Sequence, residues 1–157
     1  MSDRQLSLSL SSAAATARRA VELAGHLAAG DVILLSGKVG AGKTHFARAL
    51  IQSLLPRIED VPSPTFTLVQ TYDTDRAEIW HADLYRLTST LEIEELGLAD
   101  AFESAICLVE WPDRLGDLTP DDALSVLIED DGEEDARRLI ATWSEPKWQS
   151  KLAGWRA

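Results

Sequence analysis

Residues 37 to 44 carry a complete phosphate-binding loop, and this feature constrains the fold of the chain more than any other. The segment is G-K-V-G-A-G-K-T, which fits the pattern G-x-x-x-x-G-K-[ST]. Its glycines allow a tight turn whose backbone N–H groups point inward at phosphate oxygens. We expect the Lys43 ammonium to lie against the β- and γ-phosphates and the Thr44 hydroxyl to bind Mg²⁺.

The residues on either side of the loop fit that arrangement. Val32 to Leu35 form a short apolar run, which is typical of a buried strand. His45 to Leu55 carry apolar residues on one face, which predicts a helix whose N-terminus faces the anion. We therefore expect strand, loop and helix in this order. The expected nucleotide contacts in this segment are Val39, Gly40, Ala41, Gly42, Lys43, Thr44 and His45.

Apolar patterning predicts further elements along the whole chain. Strands are expected at 5–10, 66–72, 78–85, 106–111, 122–128 and 136–143. Helices are expected from about 12 to 29 and from 91 to 102, and Pro146 begins a last one. Strands mixed with helices are typical of an α/β protein. We predict a single-domain α/β fold similar to P-loop NTPases, with a mixed, largely parallel central sheet flanked by helices.

One P-loop ATPase domain is expected to span residues 1–157, because no linker divides the chain. Residues 1–30 would form its N-terminal strand and helix, and residues 144–157 its C-terminal helix. Trp148, Leu152 and Trp155 recur on one face of that last helix. Packing in the core and docking of a partner protein both remain open as roles for that face.

The charge of the chain limits its direct partners. The formal net charge is −11 over 157 residues. An acidic surface repels phosphate backbones, so tight direct binding of nucleic acid is disfavoured. No apolar run reaches the roughly 18 residues of a membrane span, and no apolar signal segment is present at the N-terminus. We expect a cytoplasmic protein without a membrane partner, whose single cysteine, Cys107, is a buried thiol.

Two carboxylates follow predicted strands. Glu110 ends the run I-C-L-V-E, at the carboxyl end of a buried strand where α/β sheets bind ligands. We assign it to Mg²⁺, with a solvent-exposed acid at a strand end as the alternative. Asp83 lies at the end of another strand. Orientation of the attacking water and an indirect contact to the metal are both open for it, and we favour the first.

Thr65 lies in S-P-T-F, between the loop helix and the next strand. In P-loop proteins this region often senses Mg²⁺ and the γ-phosphate, but a rigid turn with a surface threonine is an equal alternative. His81 is interpreted as a structural histidine. Trp111 follows Glu110 and is expected to point to the opposite side of the strand, into the core.

The type of nucleotide base is inferred from a sequence signature that the chain lacks. Guanine-specific P-loop proteins use the signature N/T-K-x-D, but the chain has no asparagine, and none of its four lysines completes that pattern. ATP is therefore preferred over GTP. No motif specifies the adenine contacts, and Ser12 is a guess for one of them.

These segments together resemble the TsaE family, the P-loop ATPases of bacterial tRNA threonylcarbamoyladenosine biosynthesis. The resemblance depends on G-x-x-G-A-G-K-T, S-P-T-F-T-L-V, H-A-D-L-Y-R-L, E-E-L-G-L and I-C-L-V-E-W, which occur in this order between about Leu34 and Arg114. The loop alone is widespread, whereas H-x-D-L-Y-R and V-E-W are more specific to the family. Lys38 and His45 depart from it, since members usually have an acid at the first position and often a threonine at the second.

The resemblance implies an ATP- and Mg²⁺-dependent ATPase. Lys43 and Thr44 would contact phosphates and metal, and Glu110 the Mg²⁺. Asp83 would act in catalysis and Thr65 in a switch-like loop, so that Lys43, Asp83 and Thr65 are the expected catalytic residues. The partners would be transferase subunits similar to TsaD and TsaB, with tRNA contacted indirectly through them. Intrinsic activity would be low and stimulated by these partners. A small-molecule kinase on the same loop and a nucleotide-binding scaffold without hydrolysis are the alternatives.

Overall fold

The computed structural model contains one seven-stranded sheet. It describes residues 4–38, 40–57, 59–65 and 67–156. The strands are β1 (Arg4–Leu10), β2 (Val32–Ser36), β3 (Val69–Tyr72), β4 (Ile79–Asp83), β5 (Ile106–Glu110), β6 (Leu124–Asp130) and β7 (Arg137–Trp143). Their order across the sheet is β1-β7-β6-β2-β5-β4-β3.

The middle of the sheet is parallel and its edges are antiparallel. Strands β6, β2, β5 and β4 run in parallel, whereas β7 pairs antiparallel with β6 and β1, and β3 pairs antiparallel with β4. The predicted mixed sheet is thus confirmed. Because parallel strands end at a common edge, the segment after β2, Asp83 of β4 and Glu110 of β5 lie together.

Helices cover both faces of the sheet. The α-helices are α1 (Ala13–Ala24), α2 (Lys43–Leu54), α3 (Thr90–Glu95), α4 (Leu98–Ser104) and α5 (Lys147–Lys151), and 3₁₀ turns span Pro112–Leu118 and Ala153–Arg156. Residues of α1, α2 and α5 belong to one apolar cluster, and residues of α3 and α4 to another. Strand β5 is buried along its whole length, which explains its continuous apolar sequence. No helix in the described ranges is long and apolar enough to cross a bilayer.

The C-terminal tryptophans belong to the core. Trp148, Leu152 and Trp155 are at most 2% exposed, and the Trp148 Nε1–H donates to the Asp122 carbonyl at 2.7 Å. A docking role for this face is therefore wrong. Burial also raises the pKa of the Cys107 thiol to about 12, with the nearby Glu78 adding to the effect, as expected for an inert core cysteine.

Several element boundaries differ from the prediction. Helix α1 ends at Ala24 instead of near residue 29, because the Arg76 guanidinium caps it by donating to the carbonyls of Ala24, Gly25 and Leu27. Strand β3 begins at Val69, and Phe66, the predicted start, lies outside the described residues. The predicted C-terminal helix is one short α-helix followed by a 3₁₀ turn.

Candidate functional site

The phosphate-binding loop connects β2 to α2, as predicted. Gly37 has φ of 143°, and a Cβ atom there would lie 2.3 Å from the Ile128 carbonyl oxygen, so only glycine fits between the loop and β6. Gly42 precedes α2 with φ of 109° and offers no side chain to cap it. The first N–H groups of α2 therefore remain available to an anion. Val39 lies outside the described residues, so its predicted contact remains a prediction.

Lys43 is buried at the start of α2, with 5% of its surface exposed. Its Nζ donates to the Gly37 carbonyl at 2.5 Å and lies 3.7 Å from the centre of the Trp111 ring. Burial lowers the pKa of Lys43 below its ordinary value, and the charges of Glu110, Asp83 and Asp113 oppose this shift. The ammonium is thus partly desolvated, and a phosphate would stabilise it.

Glu110 and Asp83 face each other on adjacent parallel strands. They are register partners, and they are 2% and 4% exposed. Glu110 Oε1 accepts a hydrogen bond from the Thr44 hydroxyl at 2.9 Å. The alternative of a solvent-exposed strand-end acid is therefore wrong for Glu110. A carboxylate and a hydroxyl from residues far apart in sequence thus meet beside the loop.

Asp83 has a separate set of partners. Its Oδ2 accepts from the Thr65 hydroxyl at 3.2 Å, and its Oδ1 accepts from the Tyr85 backbone N–H at 3.0 Å. The Thr65 hydroxyl also contacts the Ser63 hydroxyl at 2.7 Å. Thr65 is therefore part of the site geometry and not an isolated surface threonine.

Eight of the predicted residues line one cavity of about 420 Å³, whereas Ala41 lines the two neighbouring hollows instead. Its lining contains Gly40, Gly42, Lys43, Thr44 and His45 from the loop side. Thr65, Asp83 and Glu110 line it from the strand side, together with Tyr85 and Trp111. This convergence joins four segments of the chain at one cavity, whose cation, hydroxyls and carboxylates could hold a phosphorylated ligand and its counter-ion.

The residues present fit Mg²⁺ that arrives with a nucleotide. Within the described part of the chain, no group of three His, Cys, Asp or Glu side chains could hold a metal ion. Thr44 and Glu110 offer two adjacent oxygen ligands. Mg²⁺ takes oxygen ligands, keeps several waters and commonly completes its shell with substrate phosphates. The pair therefore suits Mg²⁺ in company with phosphates.

Comparison with known proteins now identifies the family. The family model described as "Threonylcarbamoyl adenosine biosynthesis protein TsaE" matches residues 10–140. The chain belongs to the TsaE family. A protein of this name from Rickettsia felis is 40% identical over 114 residues, which cover 73% of this chain and 67% of the relative. The TsaE protein of Bacillus subtilis is 37% identical over 115 residues, 72% of this chain and 70% of the relative.

A solved structure supports the same fold. The crystal structure of Bacillus subtilis YdiB superposes with a TM-score of 0.80 and 26% sequence identity. The match covers 98% of this chain and 95% of YdiB. The structural likeness therefore covers almost the whole chain, beyond the segments that carry the family motifs.

A hollow of about 210 Å³ on the other side of the loop is lined in part by Ala13, His45 and Arg137. Arg137 donates to the Ala41 carbonyl at 2.9 Å, a contact that no motif indicated. Ser12 adjoins Ala13, but its hydroxyl caps α1 by accepting from the Ala15 N–H at 3.1 Å. Its contact with adenine remains a prediction.

A larger hollow of about 590 Å³ lies beside Gly37. Within the described ranges, three acids, Asp113, Glu129 and Asp130, line it against one cation, Lys38, together with apolar groups that include Ile128. Carboxylates repel phosphate, so size alone does not make this hollow the nucleotide site. The smaller cavity, which contains Lys43, is the better candidate.

Sequence reasoning missed two residues of the TsaE site. Trp111 was expected in the core, but its φ of 59° ends β5 and turns the chain, so its ring lies over Lys43 and 4.8 Å from the Tyr85 ring. His81 was expected to be structural, yet its Nε2 lies 2.7 Å from Glu110 Oε2. The family-specific segments V-E-W and H-A-D were the only signals for them.

Proposed function

We propose that this TsaE-family protein is the ATP-hydrolysing subunit of tRNA threonylcarbamoyladenosine biosynthesis. It would act in the cytoplasm and would regulate or reset a transferase complex similar to TsaB and TsaD. Family membership supports the pathway. The observation that carries the ATPase assignment is the convergence of Lys43, Thr44, Thr65, Asp83 and Glu110 on one cavity.

The contacts suggest different roles for the two carboxylates. Glu110 lies against the Thr44 hydroxyl, so these two residues would hold Mg²⁺. The ion, when bound, neutralises charge on the phosphates. Lys43 and the N–H groups of α2 would bind the phosphate oxygens. Asp83 is engaged by Thr65 instead, and we assign this pair to orienting the water that displaces ADP from the γ-phosphoryl group.

The lining of the cavity supports a slow intrinsic reaction. Among the described residues, no arginine lines it, and an arginine that stabilises charge in the transition state accelerates P-loop NTPases strongly. A partner that supplies such a group, or that orders the Thr65 segment, would raise the rate. The net charge of −11 also favours indirect contact with tRNA, through the partners.

The test combines ATP hydrolysis with tRNA modification. Purified protein would be assayed for phosphate release alone and with a purified TsaB–TsaD pair and tRNA, while threonylcarbamoyladenosine is quantified in the same samples. We expect slow release alone, a severalfold rise with the pair, and modification that depends on ATP hydrolysis. Equal rates with and without the partners would contradict the regulatory proposal.

Product analysis separates this ATPase from a small-molecule kinase. An ATPase releases one inorganic phosphate for each ADP formed. A kinase would leave phosphate in a metabolite and release ADP without it. Modification supported fully by an Asp83→Asn, Glu110→Gln double variant would instead favour a scaffold that binds nucleotide without hydrolysing it.

A further inference from the structure

A fully buried histidine lies behind the two carboxylates. His81 is on β4, two residues before Asp83, and none of its surface is exposed. Its Nε2 lies 2.7 Å from Glu110 Oε2, while Glu110 Oε1 accepts from the Thr44 hydroxyl at 2.9 Å. Each oxygen of the Glu110 carboxylate therefore has its own partner, on a different element of the fold.

The surroundings of the imidazole fix its proton. The Nδ1 atom of His81 is buried and meets no hydrogen-bond partner among the described residues. An unprotonated Nε2 would set its lone pair against a carboxylate oxygen, whereas a protonated Nε2 donates a hydrogen bond to Glu110 Oε2. A proton on Nδ1 alone would in addition leave a buried N–H donor without an acceptor, which is costly. The geometry therefore places a proton on Nε2, donated to Glu110.

We propose that His81 is a positioning residue for the Mg²⁺-binding carboxylate. Its Nε2–H donates to Glu110 Oε2 and fixes the rotation of the carboxylate, so that Oε1 stays beside Thr44, where the ion of a nucleotide would bind. Partners of this kind tune metal sites, and their loss typically lowers metal affinity roughly 10- to 100-fold. The inference depends on the proposed function, because it requires Mg²⁺ at Thr44 and Glu110.

Three replacements separate this role from simple packing. His81→Gln keeps an amide N–H near the position of Nε2, whereas His81→Asn carries its amide near Nδ1 and His81→Leu has no donor. His26 is exposed just after the C-terminal end of α1, and His26→Gln is the control. Thermal unfolding of each variant first establishes that it is folded.

The main measurement is the dependence of ADP binding on Mg²⁺, which requires no turnover. ADP affinity is measured by calorimetry in EDTA and across a Mg²⁺ titration. We expect His81→Leu and His81→Asn to bind ADP in EDTA within about twofold of the wild type, but to need roughly 10- to 100-fold more Mg²⁺ for the same gain in affinity. His81→Gln should recover most of that loss, and His26→Gln should behave as the wild type.

Three results would overturn the inference. The first is a folded His81→Leu or His81→Asn variant with the Mg²⁺ dependence of the wild type. The second, independent of nucleotide and metal, is a ¹⁵N spectrum of the imidazole that shows the proton on Nδ1 in the neutral ring. If the wild type itself showed no Mg²⁺ dependence, the proposed metal site would fail, and the inference would fail with it. The ¹⁵N spectrum would still decide whether the Glu110 hydrogen bond exists.

Discussion

The two ends of β2 hold buried charges of very different character. At its start, the Asp31 carboxylate is 2% exposed and accepts from the Ala28 N–H at 2.9 Å. The ammonium groups of Lys147, at 2.9 Å, and of Lys151 complete its partners. At the other end, the Lys43 ammonium donates to the Gly37 carbonyl and lies over the Trp111 ring. No ion pair within 4.0 Å joins it to a carboxylate in the described ranges.

The difference separates a structural charge from a functional one. Asp31 has a partner for each oxygen, and these partners attach α5 to the base of the sheet. Lys43 has carboxylates nearby but no direct pairing with them, and burial lowers its pKa. A buried charge that is poorly compensated in the free protein gains more from an anionic ligand than a fully paired one does. We therefore expect replacements at the two ends to affect different measurements.

The largest expected effect is on catalysis, at the carboxyl end of the sheet. Asp83→Asn should lower the rate of ATP hydrolysis by roughly 10²- to 10⁴-fold, because the amide cannot accept hydrogen bonds as the carboxylate does. ADP affinity should stay within about twofold. Single-turnover phosphate release and calorimetry measure the two quantities, and Asp31→Asn is the matched control at the other end. Similar rate losses in Asp83→Asn and Asp31→Asn would show that the charges at the two ends of the sheet do not differ in function.

The next effect is on stability, at the amino end. Trp148→Ala should lower the free energy of unfolding by about 3–5 kcal/mol, since the ring is fully buried beside the Asp31 cluster. Thermal unfolding measures the loss. Unchanged stability together with lost binding to the transferase pair would restore the docking role that burial argues against.

Lys43→Met should weaken ATP binding about 10- to 100-fold, because a hydrogen bond between charged groups contributes about 1.5–3 kcal/mol. The free protein should not lose stability, since a partly desolvated ammonium is removed. Calorimetry and thermal unfolding are compared with Lys147→Met, which should show the opposite pattern of unchanged binding and lower stability. A large fall in the melting temperature of Lys43→Met would make Lys43 a structural cation like Lys147.

Asp31→Ala should destabilise the protein by about 1–3 kcal/mol, the usual cost of leaving a buried N–H without its acceptor. Lys147 and Lys151 are partly exposed and can turn to solvent, which limits the cost. Urea unfolding measures the change, and nucleotide affinity should be unaffected. A weaker affinity for ATP in this variant would show that the two ends of β2 are coupled.

The smallest effect concerns pH. Because burial lowers the pKa of Lys43 from its ordinary 10.5, the unfolded state binds more protons between the lowered value and 10.5, and stability rises with pH in that window. Any stability advantage of Lys43→Met should be full below the lowered pKa and should vanish as the pH approaches 10.5. Unfolding of both proteins across this range tests the sign. A difference in unfolding free energy between the two proteins that widens with pH would contradict the predicted sign.

Local patterns predicted the parts of the fold that depend on neighbouring residues. The apolar run before Gly37 predicted β2, because a strand buried on both faces has a continuous run of apolar residues. The apolar run before Glu110 predicted β5 for the same reason. The amphipathic segment after Thr44 predicted α2, because a helix buried on one face repeats its apolar residues roughly every three to four positions. The end of α1 was misplaced, because Arg76, a residue distant in sequence, caps it.

The sequence by itself therefore determined the loop, the parallel strands and the two carboxylates at their ends, since parallel strands share an edge where such residues meet. Only the tertiary structure decided which partner each carboxylate has. The Trp111 ring reaches Lys43 through a left-handed backbone turn, and His81 reaches Glu110 across a strand pair. Contacts of this kind depend on register and backbone direction over long separations, and residue spacing along the chain does not encode them.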